Sequence, residues 1–176
     1  MAFPRHDLGE GAELVLLDEA AVPELHRLTV ANLERLRRWE NWAHREETLE
    51  TSREHIRHQL AGLADGTRLP LSIRLDGRLV GSIGARIDPG RGAAELGYWV
   101  DAGVEGRGLV TRSVGAVVDH LAREAGVHRF EIRTAASNVR SRAVAERCGF
   151  ALAGVLPGAF PVGAVRHDAV LYALER

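Results

Sequence analysis

The 176-residue chain has no lysine; its 23 basic residues are all arginine. This excludes Schiff-base chemistry and the lysine of a phosphate-binding P-loop. A compositional bias of the source genome accounts for the absence. Cysteine is scarce too: Cys148 stands alone and has no partner for an internal disulfide, which points to a reducing, cytoplasmic setting. No apolar run approaches the roughly 20 residues of a membrane helix, and the stretch from Met1 to Glu10 is polar and unlike a signal peptide. The formal net charge of -1 leaves no general attraction for nucleic acid or for an anionic membrane. No metal site is expected, because His55 and His58 share a helix but no carboxylate or cysteine completes a recognisable set.

What remains, 45% hydrophobic and 27% charged residues, suits one soluble globular domain spanning 1–176. Glu13 to Leu17 reads as a first strand. Leu25, Leu28, Val30, Leu33 and Leu36 give the stretch from Pro23 to Arg38 a helical period, and a second helix is predicted from Thr48 to Ala64. Leu69 to Leu75, Arg78 to Ile87 and Ala94 to Val100 read as an antiparallel meander, turned at Asp76-Gly77 and at Asp88-Pro89-Gly90. Val110, Val114, Val117, Val118 and Leu121 then mark a helix, followed by a strand from Arg129 to Thr134 and a helix from Asn138 to Arg147. Strands from Phe150 to Leu156 and from Ala164 to Leu174 complete a mixed sheet.

Chemistry concentrates where the strand ending Trp99-Val100-Asp101 runs through Glu105-Gly106-Arg107-Gly108 into the helix that opens Leu109-Val110-Thr111. A glycine turn before a helix leaves backbone N–H groups free and lets an anion approach them. By itself Gly106-Arg107-Gly108 is weak evidence of a phosphate site, because glycines also make tight turns without any ligand. About thirty residues later come Asn138 and Ser141, then Cys148-Gly149-Phe150.

With these motifs, and with Arg38-Trp39-Glu40-Asn41-Trp42, Glu95-Leu96-Gly97-Tyr98-Trp99-Val100 and the closing Arg166-His167-Asp168 and Tyr172, the chain resembles the GNAT N-acyltransferases. The likeness is to their RimJ/RimL branch of ribosomal-protein N-terminal acetyltransferases, and it covers nearly the whole chain, from Leu14 to Leu174. Glu105 departs from the Gln or Arg, and Val110 from the Gly or Ala, that are common at these loop positions.

The resemblance implies an α+β (mixed α/β) GNAT fold: a sheet of about seven strands, about four helices and a V-shaped gap between two splayed parallel strands. It implies acetyl-CoA, or another short acyl-CoA, as co-substrate. Gly106, Arg107, Gly108, Leu109, Val110 and Thr111 would hold the pyrophosphate, and backbone N–H groups of Trp99, Val100 and Asp101 the thioester carbonyl. Asn138 would orient the CoA arm, and Ser141 would serve the departing thiolate; both also suit a helix cap and first turn. Glu95 is the first candidate base, with His167 and Asp168 next, and Trp39 and Trp42 would wall the acceptor pocket. Two tryptophans after an amphipathic helix also suit a core.

The function so implied is direct acyl transfer to an amine, an α-amine of a protein, peptide or metabolite. Acylation of an antibiotic or toxin, and a non-catalytic CoA-binding sensor or scaffold, are the other readings. The relatives often pair as dimers, which makes a homodimer an expectation here.

Overall fold

Turn chemistry sets where the chain reverses. The computed structural model describes residues 3–176, and Gly9, Glu10 and Gly11 there all take positive φ, folding β1 (His6–Gly9) back on β2 (Ala12–Leu16). Asp76 and Gly77 do the same between β3 (Arg68–Leu75) and β4 (Arg78–Asp88), as a two-residue type I′ hairpin demands. β5 (Ala93–Val100), β6 (Arg129–Ala135), β7 (Ala151–Val162) and β8 (Val165–Glu175) complete an eight-stranded sheet of order β1-β2-β3-β4-β5-β6-β8-β7.

Two features differ from the sequence reading. The sheet has eight strands rather than seven, because β1 offers only Leu8 to the core and its brevity hides any alternation. β7 also runs past Pro157 to Val162, with a register shift between Leu156 and Phe160. As an edge strand it tolerates a residue without an N–H.

The helices are α1 (Val22–Leu36), α2 (Leu49–Ala64), α3 (Leu109–Glu124) and α4 (Val139–Arg147). Thr48 and Thr51 cap α2 reciprocally, and Gly149, at φ 82°, ends the turn after α4. α1 and α2 pack on one face of the sheet, against β4 and β3; α3 packs on the other, against β1, β4 and β5, with α4 beside it.

Strand alternation assigns the side chains of β5 to these layers. Leu96 and Tyr98 join the α3/α4 core with Ile83, Val114, Val117 and Phe130, whereas Trp99 packs with Leu25, Ile56 and Leu79 under α1 and α2. Fully burying a side chain such as Ile56 or Phe130 contributes roughly 1.5–3 kcal/mol.

The feature that positions a site is a fork. β5 and β6 pair in parallel only from Ala93↔Arg129 to Leu96↔Ile132. Beyond that β5 stays with β4 as far as Val100, and β6 with β8 as far as Ala135, so the two strands diverge.

Candidate active site

On the α3 side, Gly106 and Gly108 take φ of 79° and 69°, and Gly108 opens α3 without any side-chain cap. The first helical bond runs from the Arg112 N–H to the Gly108 carbonyl at 3.0 Å, which leaves the N–H groups of Leu109, Val110 and Thr111 without helical acceptors. Beside the turn lies a depression lined by Glu10, Leu75, Gly106, Arg107, Leu109 and Arg112. Arg112 donates to the Arg107 carbonyl at 3.1 Å and pairs with Glu10 at 3.2 Å, while its buried Nε has no partner among the described residues. Free amides at the positive end of a helix dipole suit a pyrophosphate.

At the fork, backbone direction decides which groups face the gap. The Asp101 N–H donates to the Val80 carbonyl at 2.7 Å, and two-residue alternation turns Trp99 toward β4 as well. Of the stretch Trp99 to Asp101, only Val100 therefore presents its backbone to the gap. Its carbonyl accepts from the Arg35 guanidinium, which also donates to Asn32 Oδ1 at 3.0 Å and to Glu105 at 2.6 Å. Asn32 in turn donates to Asp101 Oδ1 at 2.8 Å and accepts from the Ala102 N–H at 3.1 Å. Glu105 is bridged on its other oxygen by Arg140. The carboxylate that departs from the family's loop pattern is thus paired on both sides and held by α1 and α4.

On the α4 side, Asn138 Oδ1 accepts from the Ser141 N–H at 3.2 Å, so Asn138 does cap this helix. The Tyr98 hydroxyl reaches the Ser141 carbonyl at 3.1 Å and Ser141 Oγ at 3.2 Å. Burial pushes the Tyr98 hydroxyl up to about 12, against the pull of its Ser141 bond, so it stays protonated at neutral pH. Cys148 lies nearby, half-buried, donating weakly to the Thr111 carbonyl at 3.6 Å; burial raises its thiol. A protonated thiol is a poor nucleophile. Cys148→Ala is accordingly expected to keep at least about half of wild-type kcat; an acetyl group on Cys148 formed at a turnover-competent rate, seen by mass spectrometry, refutes this.

The opposite face carries the aromatic wall. The Trp42 ring lies 6.5 Å from that of Trp99, and its Nε1 donates to Glu40 at 2.9 Å. The β7–β8 turn closes over this segment, with the Gly163 N–H donating to Asn41 at 3.1 Å. Trp39 is half-buried at the end of α1. Glu95 shares this face but stands in the paired part of the sheet, bound to Arg86 at 2.8 Å and near Arg133 at 3.9 Å. Of the closing pair, alternation along β8 puts His167 on the aromatic side. Asp168 points the other way and accepts from the Gly158 N–H at 2.9 Å.

Sequence reasoning missed Tyr98, Asn32, Arg35, Arg112 and Glu40 as site residues. Tyr98 had a signal, since period two puts it on the face of Leu96 and Val100. Asn32 and Arg35 share a helix face at i, i+3, but nothing in the sequence says what they meet.

Comparison with known proteins bears on the same region. Residues 13–151 match the family described as "Acetyltransferase (GNAT) domain". The ribosomal-protein-serine acetyltransferase of Escherichia coli is 30% identical over 167 residues, covering 94% of this chain and 93% of its own. Among solved structures, the RimL ribosomal L7/L12 α-N-protein acetyltransferase in complex with coenzyme A superposes with a TM-score of 0.94 at 29% identity, over 97% of each chain. The microcin C7 self-immunity acetyltransferase MccE shares the fold, with a TM-score of 0.93 at 24% identity over 99% of this chain and 98% of its own. The forked sheet, the uncapped glycine-led helix and these matches agree: the chain belongs to the GNAT family, N-acetyltransferases that use acetyl-CoA as co-substrate.

Proposed function

We propose that this protein transfers an acetyl group directly from acetyl-CoA to the α-amine of a protein or peptide N-terminus, in the cytoplasm. The observation that carries the reading is the fork, with donor-side groups on one face of β5 and an aromatic wall on the other. The amides of Leu109 to Thr111, with Arg112 and Arg107, hold the pyrophosphate, and the free amide side of Asn138 borders the CoA arm. The Val100 N–H faces the gap, where it meets a carbonyl that gains negative charge as nitrogen attacks. A donor fixed in advance by the β4 ladder and by Arg35 favours that transition state over the ground state. Ser141, backed by Tyr98, donates to the departing sulfur. Trp42, Trp99 and His167 lie where the amine enters.

Proton affinity favours an α-amine as acceptor. An α-amine has a reference pKa near 7.7–8.0 against about 10.4 for lysine, so at pH 7 roughly a tenth of the first is neutral and well under a thousandth of the second. The E. coli ribosomal-protein-serine acetyltransferase and the RimL L7/L12 α-N-protein acetyltransferase, both similar to this chain, support the same choice. A matched pair of peptides tests it: one with a free N-terminus and no lysine, the other N-terminally blocked with one lysine. We expect at least about a tenfold higher kcat/KM for the first at pH 7. Preference for the second rejects the α-amine; CoA release with neither, but with a free amino acid, polyamine or aminoglycoside, moves the acceptor to a small molecule. Running acetyl-CoA against succinyl-CoA in the same assay fixes the donor.

A further inference from the structure

We infer that Glu40 is the group that takes the proton from the incoming amine. The inference rests on the acetyl-transfer reading above and names a residue in that site.

Donor-side groups, Ser141, Tyr98 and the α3 amides, lie on the α3/α4 side of β5. An amine attacking a carbonyl at Val100 arrives from the other side, along Trp99. The base has to lie on that side, within direct or one-water reach of the nitrogen. Glu40 stands on that side, linked to the gap by a short chain of contacts. Its Oε2 accepts from Trp42 Nε1 at 2.9 Å, and the Trp42 ring sits 6.5 Å from that of Trp99, the neighbour of Val100.

Its bonding leaves it available. Oε1 has no hydrogen-bond partner among the described residues and is not sealed in the interior, and no arginine pairs with either oxygen. Glu95, the other carboxylate on this face, is committed to Arg86 and flanked by Arg133. Glu40 reaches its place because α1 ends at Leu36 and the chain turns into the short helix Asn41–His44, pinned by Arg37 Nε donating to the Ala43 carbonyl at 3.1 Å.

The environment tunes the group for the task. Burial lifts the Glu40 carboxyl to about 7, partly opposed by the bond from Trp42, with no charged neighbour contributing. A base near 7 is ionised at working pH and takes up the proton that the neutral amine sheds as it attacks, whereas an ordinary carboxylate near 4.3 is a much weaker base. The balance is complete. The neutral α-amine forms the C–N bond as the C–S bond breaks; the proton the nitrogen sheds passes to Glu40 and then to water, while the departing sulfur takes one from Ser141, which is reprotonated from water.

The test uses Glu40→Gln, an isosteric change that still accepts from Trp42 Nε1. Wild-type protein should show log(kcat/KM) for an α-amine peptide rising with a slope near two below pH 7, since the base must be ionised and the amine neutral. Glu40→Gln should lose at least about tenfold in kcat/KM at pH 7.5 and rise with a slope near one, while CoA binds with unchanged affinity in calorimetry. Trp42→Phe, which removes the bond but keeps the carboxylate, should retain the slope of two. Glu95→Gln should retain it as well. If Glu40→Gln keeps the wild-type rate and slope, or if Glu95→Gln is the variant that loses the second titration, the role of Glu40 is overturned while acetyl transfer stands. Wild-type protein that acetylates no α-amine overturns the reading itself, and this role with it.

Discussion

Replacing Gly108 by valine should weaken CoA binding by at least about tenfold while leaving the melting temperature within a few degrees of wild type. Gly108 sits at φ 69°, where a side chain meets its own backbone at a cost on the order of 1–2 kcal/mol, more for a β-branched residue. The new Cβ would also come within 3.3 Å of an Arg112 guanidinium nitrogen. Both effects fall on the turn that aims the α3 amides outward. The loop can relieve the strain by rotating, because Gly108 is exposed and packs on no core residue. Rotation, however, takes the Leu109 and Val110 amides and Arg112 off a common centre. Losing one charge-assisted bond to a phosphate oxygen costs about 1.5–3 kcal/mol, or about 10- to 150-fold in affinity. Calorimetry with CoA measures this directly. An unchanged Kd in a folded Gly108→Val protein would remove the pyrophosphate from this loop.

How much of this was legible beforehand varied with the range of the interaction. Local chemistry was readable: Asp76-Gly77 is a turn because two successive positive φ values are needed there, and Asn138 caps α4 because its side chain bonds the N–H of Ser141. The eighth strand was not, since His6 to Gly9 buries one side chain and pairs through its backbone, which every residue carries.

At the site the limit was direction rather than identity. Trp99, Val100 and Asp101 are consecutive, yet the hydrogen bond from Asp101 to Val80 fixes a phase in which Val100 alone faces the gap. That phase depends on the register of β4 against β5, which no local pattern supplies. Gly81 helps to set it: a Cβ there would lie 2.5 Å from the Trp99 carbonyl oxygen, so only glycine admits this approach of the two strands. Glu105 shows the same limit in its charges. Alone in a phosphate loop it reads as a defect, but Arg35 and Arg140, 70 and 35 residues away, make it a tie between α1, the loop and α4.

Ser141→Ala should lower kcat by about 10- to 100-fold and change CoA affinity by less than about threefold. A thiolate needs its donor mainly as the C–S bond breaks, so the loss belongs to the transition state. Tyr98 determines how the serine serves. When the Tyr98 hydroxyl donates to the Ser141 carbonyl, 3.1 Å away, its oxygen is left to accept from Ser141 Oγ; when it donates to Oγ, at 3.2 Å, the serine proton is free to face sulfur. With the phenol held near 12, Tyr98 remains a donor across the working pH range and can select the second arrangement. Tyr98→Phe should therefore be milder than Ser141→Ala, and the double variant no slower than Ser141→Ala alone, since the tyrosine acts through the serine. A thioester with a more acidic leaving thiol should restore most of the rate lost in Ser141→Ala, because a better leaving group needs less help. Full kcat in Ser141→Ala under single-turnover conditions, or strict additivity of the two losses, would assign the departing sulfur to another donor.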